Sequence, residues 1–169
     1  MLKGKTAIIT GGTRGIGFST VKTFLENGAN VAMLGSKKET VTNALAKLQQ
    51  YVDNGQLIGF YPDLNNTNQM KETIELVYQQ FHRIDILVNN AGISSNTAFE
   101  EYDEKELERI FNLNIKAVVN CSKAVIPYMK QHGGSIINTS SMVSLYGQPS
   151  GAAYPMSKYA VNGLSLIHI

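Results

Sequence analysis

Five short runs rich in β-branched and apolar residues alternate along the chain with longer segments of helical period, and that alternation leaves few architectures open. The runs Thr6–Thr10, Asn30–Leu34, Gln56–Tyr61, Asp85–Asn89 and Ser135–Thr139 are each nearly continuous in apolar character. This is the signature of parallel strands covered on both faces and joined by crossover helices. Helices are predicted from Gly15 to Asn27, Lys38 to Val52, Asn68 to Phe81, Asp103 to about Gln131, and from near Ser150 to the end of the chain. The first should bury Ile16, Val21, Phe24 and Leu25 and stop at Gly28 in a left-handed cap. The third places Met70, Ile74, Val77 and Tyr78 on one face. The pattern defines an α/β fold, a doubly wound parallel sheet.

With 169 residues, of which 43% are hydrophobic, the chain can bury one substantial core, so residues 1–169 are read as a single domain. Fifteen basic residues stand against thirteen acidic ones without any basic run, which disfavours a nucleic-acid binder. Cys121 is the lone cysteine, and His82, His132 and His168 have no metal-ligand spacing, so neither a disulfide nor a metal is expected. Cys121 lies among Val118, Val119, Ala124 and Val125 and reads as a buried thiol. No window of about 18 apolar residues occurs, so no membrane span is expected. This composition suits the reducing cytoplasm.

Directly after the first run comes Thr10-Gly11-Gly12-Thr13-Arg14-Gly15-Ile16-Gly17, and then a helix. Glycines at 11, 15 and 17 let a backbone turn tightly and approach a pyrophosphate, which the helix N-terminus attracts with its free N–H groups. A plain tight turn would use the same residues, but the flanking strand and helix favour a nucleotide site. Absence of a Gly-Lys-Ser/Thr ending disfavours an NTPase loop. After the second strand stand Gly35-Ser36-Lys37-Lys38, with no acid before Glu39. An acidic residue there would hold a ribose 2′-hydroxyl, whereas cations suit a 2′-phosphate. Together Arg14, Lys37 and Lys38 favour NADP over NAD, with Ser36 and Lys37 as the contacts expected there.

Tyr154 and Lys158 lie four residues apart at the start of the last predicted helix and so share a face. A phenol ordinarily titrates near about 10 and is a weak proton donor or acceptor at neutral pH, but a nearby ammonium favours its phenolate. Pro155 fits a first helical turn.

Four motifs in order carry a resemblance to the short-chain dehydrogenase/reductase family: the TGGTRGIG turn, Asn89-Asn90-Ala91-Gly92 after the fourth strand, Asn114 within Asn112-Leu113-Asn114-Ile115, and Tyr154-Pro155-Met156-Ser157-Lys158. The resemblance runs from Lys3 to about Leu166 and implies a Rossmann-like fold. It also implies catalytic roles for Asn114, Ser141, Tyr154 and Lys158. Ser141, thirteen residues before the tyrosine, is preferred over its neighbour Ser140. Ser141 would hydrogen-bond a substrate carbonyl, Tyr154 would exchange a proton with it, Lys158 would hold the nicotinamide ribose, and Asn114 would position a relay water. For the cofactor, the resemblance implies contacts from Gly11, Thr13, Arg14, Gly15, Ile16 and Gly17. Asp63 and Leu64 would lie at the adenine and Asn90, Ala91 and Gly92 beneath the dinucleotide, with Asn89 tying strands together. The substrate would be a small carbonyl or secondary alcohol, the 3-oxoacyl-[acyl-carrier-protein] reductases being nearest in character. The subunits would pair into a homo-oligomer through the fourth and fifth helices.

Folds of this type have about six strands, and five are found here. The expectation is therefore a domain lacking its C-terminal part, with the sheet incomplete at that edge and the Ile136–Ile137 strand uncovered. Leu166-Ile167-His168-Ile169 does not resemble the family's continuation. A catalytically incompetent, nucleotide-binding fragment is the alternative function.

Overall fold

The computed structural model describes residues 1–165. The expectations for the Leu166–Ile169 tail, and for the last helix running to the chain end, lie outside the described residues. All five predicted strands form: β1 (Thr6–Thr10), β2 (Asn30–Leu34), β3 (Leu57–Phe60), β4 (Ile86–Asn89) and β5 (Ser135–Asn138). They make one parallel sheet in the order β3-β2-β1-β4-β5.

Side chains alternate across this sheet, as the strand period of two requires. Ile8, Ala32, Leu34 and Leu87 point to one face and pack with Met70, Ile74, Val77, Cys121 and Val125. Ile9, Val31, Met33 and Val88 point to the other and pack with Val21, Leu25, Val41 and Ala44. Two cores therefore sandwich the sheet. Helices α4 (Thr67–Phe81) and α6 (Ala117–Met129) cover the first face, and α1 (Gly15–Glu26) and α2 (Lys38–Ala46) cover the second. Gly28 is left-handed, with φ +86°, as a C-terminal cap requires. His82 caps α4 with φ 58°.

The helical reading needs five corrections. The segment expected as one helix to Val52 splits into α2 and α3 (Gln49–Asp53), because Leu48 leaves helical geometry and turns into the core. The expected Asp103–Gln131 helix is α5 (Glu104–Phe111), a π turn over Asn112–Lys116, and α6. A short α7 (Val143–Tyr146) precedes α8 (Ala153–Ser165), which begins three residues later than Ser150. Ile16 is 72% exposed rather than buried, since the second residue of α1 faces a cleft instead of the sheet. Tyr78 is 37% exposed and packs against Tyr128 in a tilted pair, with ring centroids 5.0 Å apart.

At the N-terminal end of the sheet, Asp85 fastens three strands. Its carboxylate accepts the Thr6 N–H (2.9 Å), the Lys5 ammonium (3.1 Å) and the Arg83 guanidinium, and its backbone bridges Thr6 and Ser135. The opposite end of the sheet is left for the site. Along the side of the sheet, β5 is an edge strand among the described residues, with Ile137 about half exposed.

Candidate active site

The strand order reverses between β1 and β4, and in such sheets the crevice at the C-terminal ends of those two strands accepts ligands. The sequence TGGTRGIG leaves β1 there, and Asn90-Ala91-Gly92 leaves β4. Thr10 Oγ1 accepts the backbone N–H groups of Asn90 and Ala91, both at 3.0 Å. In return Asn90 Nδ2 donates to the carbonyls of Thr10 (3.1 Å) and Gly11 (3.3 Å). The two loops are thereby locked edge to edge.

Between them opens a cleft of about 830 Å³, in the range of small-molecule sites. Of the residues expected at a cofactor, Gly11, Thr13, Arg14, Gly15, Ile16, Gly17, Ser36, Asp63, Leu64, Asn90, Ala91 and Gly92 line it. Lys37 does not; it is the N-cap residue of α2. Sequence reasoning passed over Leu34, Gly35, Tyr61, Pro62, Gln69, Ile93 and Leu113, which complete the wall. Gly35, Pro62 and Ile93 each adjoin a residue that was singled out, so proximity in sequence was the available signal.

Two glycines are indispensable to this shape. A Cβ at Gly17 would lie 2.2 Å from the Gly11 carbonyl oxygen, and one at Gly11, whose φ is +66°, would meet Ala91 Cα at 3.0 Å. No side chain caps the start of α1, as is also true of α2, α3, α6 and α7. The first N–H groups of α1 are left for a ligand.

A second group of residues stands beside Gly92. Lys158 is 5% exposed, donates from Nζ to the Thr139 carbonyl at 2.7 Å, and lies 5.7 Å from the centre of the Tyr154 ring. Burial lowers its pKa, and no carboxylate pairs with it among the described residues. A Cβ on Gly92 would sit 3.7 Å from Lys158 Nζ and 3.2 Å from Asn114 Oδ1, so the ammonium stands next to Gly92 in the cleft wall, although neither Lys158 nor Tyr154 itself lines the cleft. Asn114, 1% exposed in the π turn, accepts the Ile93 N–H and donates to the Ile93 carbonyl and to Ser157 Oγ, each at 2.9 Å. Both its N–H groups are used, and Oδ1 keeps one lone pair on the Gly92 side. Asn89 Nδ2 ties β4 to β5 through Asn138 (2.9 Å).

The candidate serines differ in what their hydroxyls do. Ser140 Oγ lies 3.1 Å from Ser144 Oγ. Ser141 Oγ only accepts a long bond from the Val143 N–H (3.4 Å), and its own proton has no partner among the described residues. Cys121 lies in the core, where burial pushes its thiol up to about 12, so it is no nucleophile.

A cleft of about 830 Å³ at the β1/β4 switch point, cradled by glycines, lies where doubly wound α/β proteins take their ligands. The chain belongs to the short-chain dehydrogenase family, whose profile matches residues 5–167. It is 54% identical to 3alpha-hydroxysteroid dehydrogenase of Mediterraneibacter gnavus over 98% of this chain and 66% of that protein. It is 36% identical to the 3-oxoacyl-[acyl-carrier-protein] reductase of Thermotoga maritima over 97% of this chain and 66% of that one. Among solved structures, a short-chain dehydrogenase from Novosphingobium aromaticivorans superposes with a TM-score of 0.91 at 29% identity, over 97% of this chain and 62% of the other. NAD⁺-bound xylitol dehydrogenase gives 0.90 at 29% identity, over 96% and 63%. The chain thus spans just under two thirds of the length of the proteins it matches. No helix among the described residues is long and apolar enough to cross a membrane, and no cluster of potential metal ligands occurs among them.

Proposed function

We propose that this protein is an oxidoreductase interconverting a carbonyl and a secondary alcohol with a nicotinamide dinucleotide, NADP in preference to NAD, on a hydroxysteroid-type substrate. The observation that carries the reading is the buried, carboxylate-free Lys158 beside Tyr154 and under Gly92. The residues present fit a dinucleotide. The uncapped start of α1 and the Gly11–Gly17 cradle suit its pyrophosphate, Asp63 and Leu64 suit the adenine end, and the spare N–H groups of Lys158 suit ribose hydroxyls. When bound, the nicotinamide exchanges hydride with the substrate carbon. Ser141, whose hydroxyl proton is uncommitted, donates to the substrate oxygen, and Tyr154 Oη delivers the proton in reduction. The Lys158 ammonium stabilises the negative charge left on Tyr154. Asn114 braces the Ile93 loop against α8 and offers its remaining lone pair to a water.

Arg14, from the turn after β1, and Ser36, just after β2, line the same cleft, and Gly35, Ser36 and Lys37 carry no acidic side chain, which supports NADP. The sequence pattern alone favoured a 3-oxoacyl thioester. The higher identity to a hydroxysteroid dehydrogenase shifts the substrate toward a rigid, apolar alcohol. In keeping with this, Met142, Leu145 and Tyr146, in the segment immediately after Ser141, are 74%, 66% and 82% exposed, an apolar surface that suits such a ligand. Assembly is proposed as a homo-oligomer, checked by light scattering. The lone buried thiol suits the cytoplasm.

The test follows NADPH and NADH oxidation with 3-ketosteroids, 3-oxoacyl thioesters and small ketones, beside dinucleotide binding by fluorescence. Turnover of a ketosteroid with NADPH, lost in Tyr154→Phe while binding is kept, is the expected result. Binding without turnover of any substrate would favour the nucleotide-binding fragment, and absence of binding would reject both readings.

A further inference from the structure

We propose that Ser144 and Asn162 are positioning residues that hold Ser141 against the helix bearing Tyr154 and Lys158. The inference rests on the catalytic reading above. Ser144 is 1% exposed at the start of α7, and three polar groups converge on it. Its Oγ donates to the Ser141 carbonyl at 2.5 Å, and its backbone N–H reaches the same oxygen at 3.1 Å. Asn162 Nδ2 donates to Ser144 Oγ at 2.9 Å, and Ser140 Oγ lies 3.1 Å away.

A hydroxyl has one proton and two lone pairs. The Ser144 proton goes to the Ser141 carbonyl, so one lone pair takes the Asn162 amide proton and the other takes the proton of Ser140. Every site on Ser144 is filled, and the arrangement has a single sense. Ser140 becomes a committed donor, because its alternative acceptor, the Lys158 carbonyl, is 3.5 Å away, too far for a good hydroxyl bond. Ser141 alone keeps a free proton for a substrate oxygen.

Asn162 stands one helical turn beyond Lys158, as Lys158 does beyond Tyr154, so the three share a face of α8. Two links then bind the segment from Thr139 to Ser144 onto this face: Lys158 Nζ to the Thr139 carbonyl, and Asn162 through Ser144 to the Ser141 carbonyl. The first uses a side chain that the chemistry also needs. The second has no other task, and it fixes the distance between the serine and the tyrosine–lysine pair. Displacing a reacting group by about 1 Å costs on the order of a hundredfold in rate.

The experiment compares Ser144→Ala, Asn162→Leu, Ser141→Ala and the double variant Ser141→Ala/Ser144→Ala. It measures steady-state turnover of a 3-ketosteroid, the Kd for NADPH, and crystal structures of the wild type and Ser144→Ala. The expected result is a ten- to hundredfold loss of kcat in Ser144→Ala and Asn162→Leu with the NADPH Kd unchanged. In the Ser141→Ala background the Ser144 substitution should cost nothing further. Additive losses, or unchanged kcat in folded Asn162→Leu, would overturn the proposal. Should the wild type turn over no substrate, the catalytic reading fails by itself, and the crystal structures decide this inference. A Ser141 Oγ displaced by about 1 Å relative to Lys158 in Ser144→Ala supports it, and an unmoved one refutes it.

Discussion

Thr10, at the end of β1, accepts two backbone protons from the end of β4, those of Asn90 and Ala91, on one hydroxyl oxygen. Thr10 is 2% exposed, so the oxygen replaces water for both donors where the sheet reverses its order. Thr10→Val keeps the shape and removes the acceptor. Leaving two N–H groups unpaired should destabilise the protein by about 2 kcal/mol and weaken dinucleotide binding as the two loops part. Thr10→Ser should restore both. Urea unfolding and fluorescence titration check this; a Thr10→Val protein as stable as the wild type would disprove the lock.

Gly17→Ala and Gly163→Ala should act in opposite directions. The new methyl at 17 would collide with the Gly11 carbonyl oxygen, a backbone atom that cannot yield without moving the cradle, whereas at 163, exposed in α8, nothing lies within 4 Å. Gly17→Ala should lower dinucleotide affinity at least tenfold. Gly163→Ala should raise stability by about 0.5–1 kcal/mol through helix propensity alone. Thermal melts with and without dinucleotide separate the two effects.

The sheet and the glycine cradle were legible because each rests on a local requirement. The parallel strands need continuous apolar runs, and the turn needs glycine where φ is positive at Gly11 or where backbone presses on Gly17. The π turn at Asn114 was not legible. An i, i+4 apolar pattern passes through a single extra residue with little change of face, and only the packing of Asn114 against Ile93 and Ser157 shows where the turn widens. Ile16 misled for a related reason, since periodicity places a side chain on a face without saying whether that face meets a core or a cleft. The charge of Lys37 points to a phosphate, but its backbone starts α2 and the residue does not line the cleft. Ser144 and Asn162 drew no attention, being ordinary loop and surface types, although Asn162 continues the four-residue spacing of Tyr154 and Lys158.

Stability should fall steeply in acid through Asp85. Burial alone would raise its pKa, but the Arg83 guanidinium, the Thr6 N–H and the Lys5 ammonium outweigh it and hold the carboxyl at about 2. A group with a depressed folded pKa stabilises the native state fully above its unfolded pKa of about 4, and the contribution disappears as pH falls from there through about 2. The difference is worth on the order of 2 kcal/mol. Urea midpoints at pH 7, 4 and 2.5 should show the wild type losing this increment, while Asp85→Asn starts lower at pH 7 and declines less. Parallel curves for the two proteins would exclude Asp85 as the source.

Arg14 offers the sharpest separation of the two dinucleotides. It lines the same cleft as Ser36, makes no ion pair among the described residues, and has no acidic neighbour in the glycine turn or directly after β2. A 2′-phosphate there would gain a charge-assisted, bidentate hydrogen bond that a 2′-hydroxyl cannot match. Arg14→Ala should therefore raise the Kd for NADPH about tenfold, corresponding to roughly 1.4 kcal/mol, and leave that for NADH within about twofold. Raising the salt concentration should narrow the gap in the wild type and have little effect in the variant. Equal losses for both dinucleotides would mean that Arg14 serves the shared pyrophosphate, and the preference for NADP would then have to rest on Ser36 and its neighbours alone.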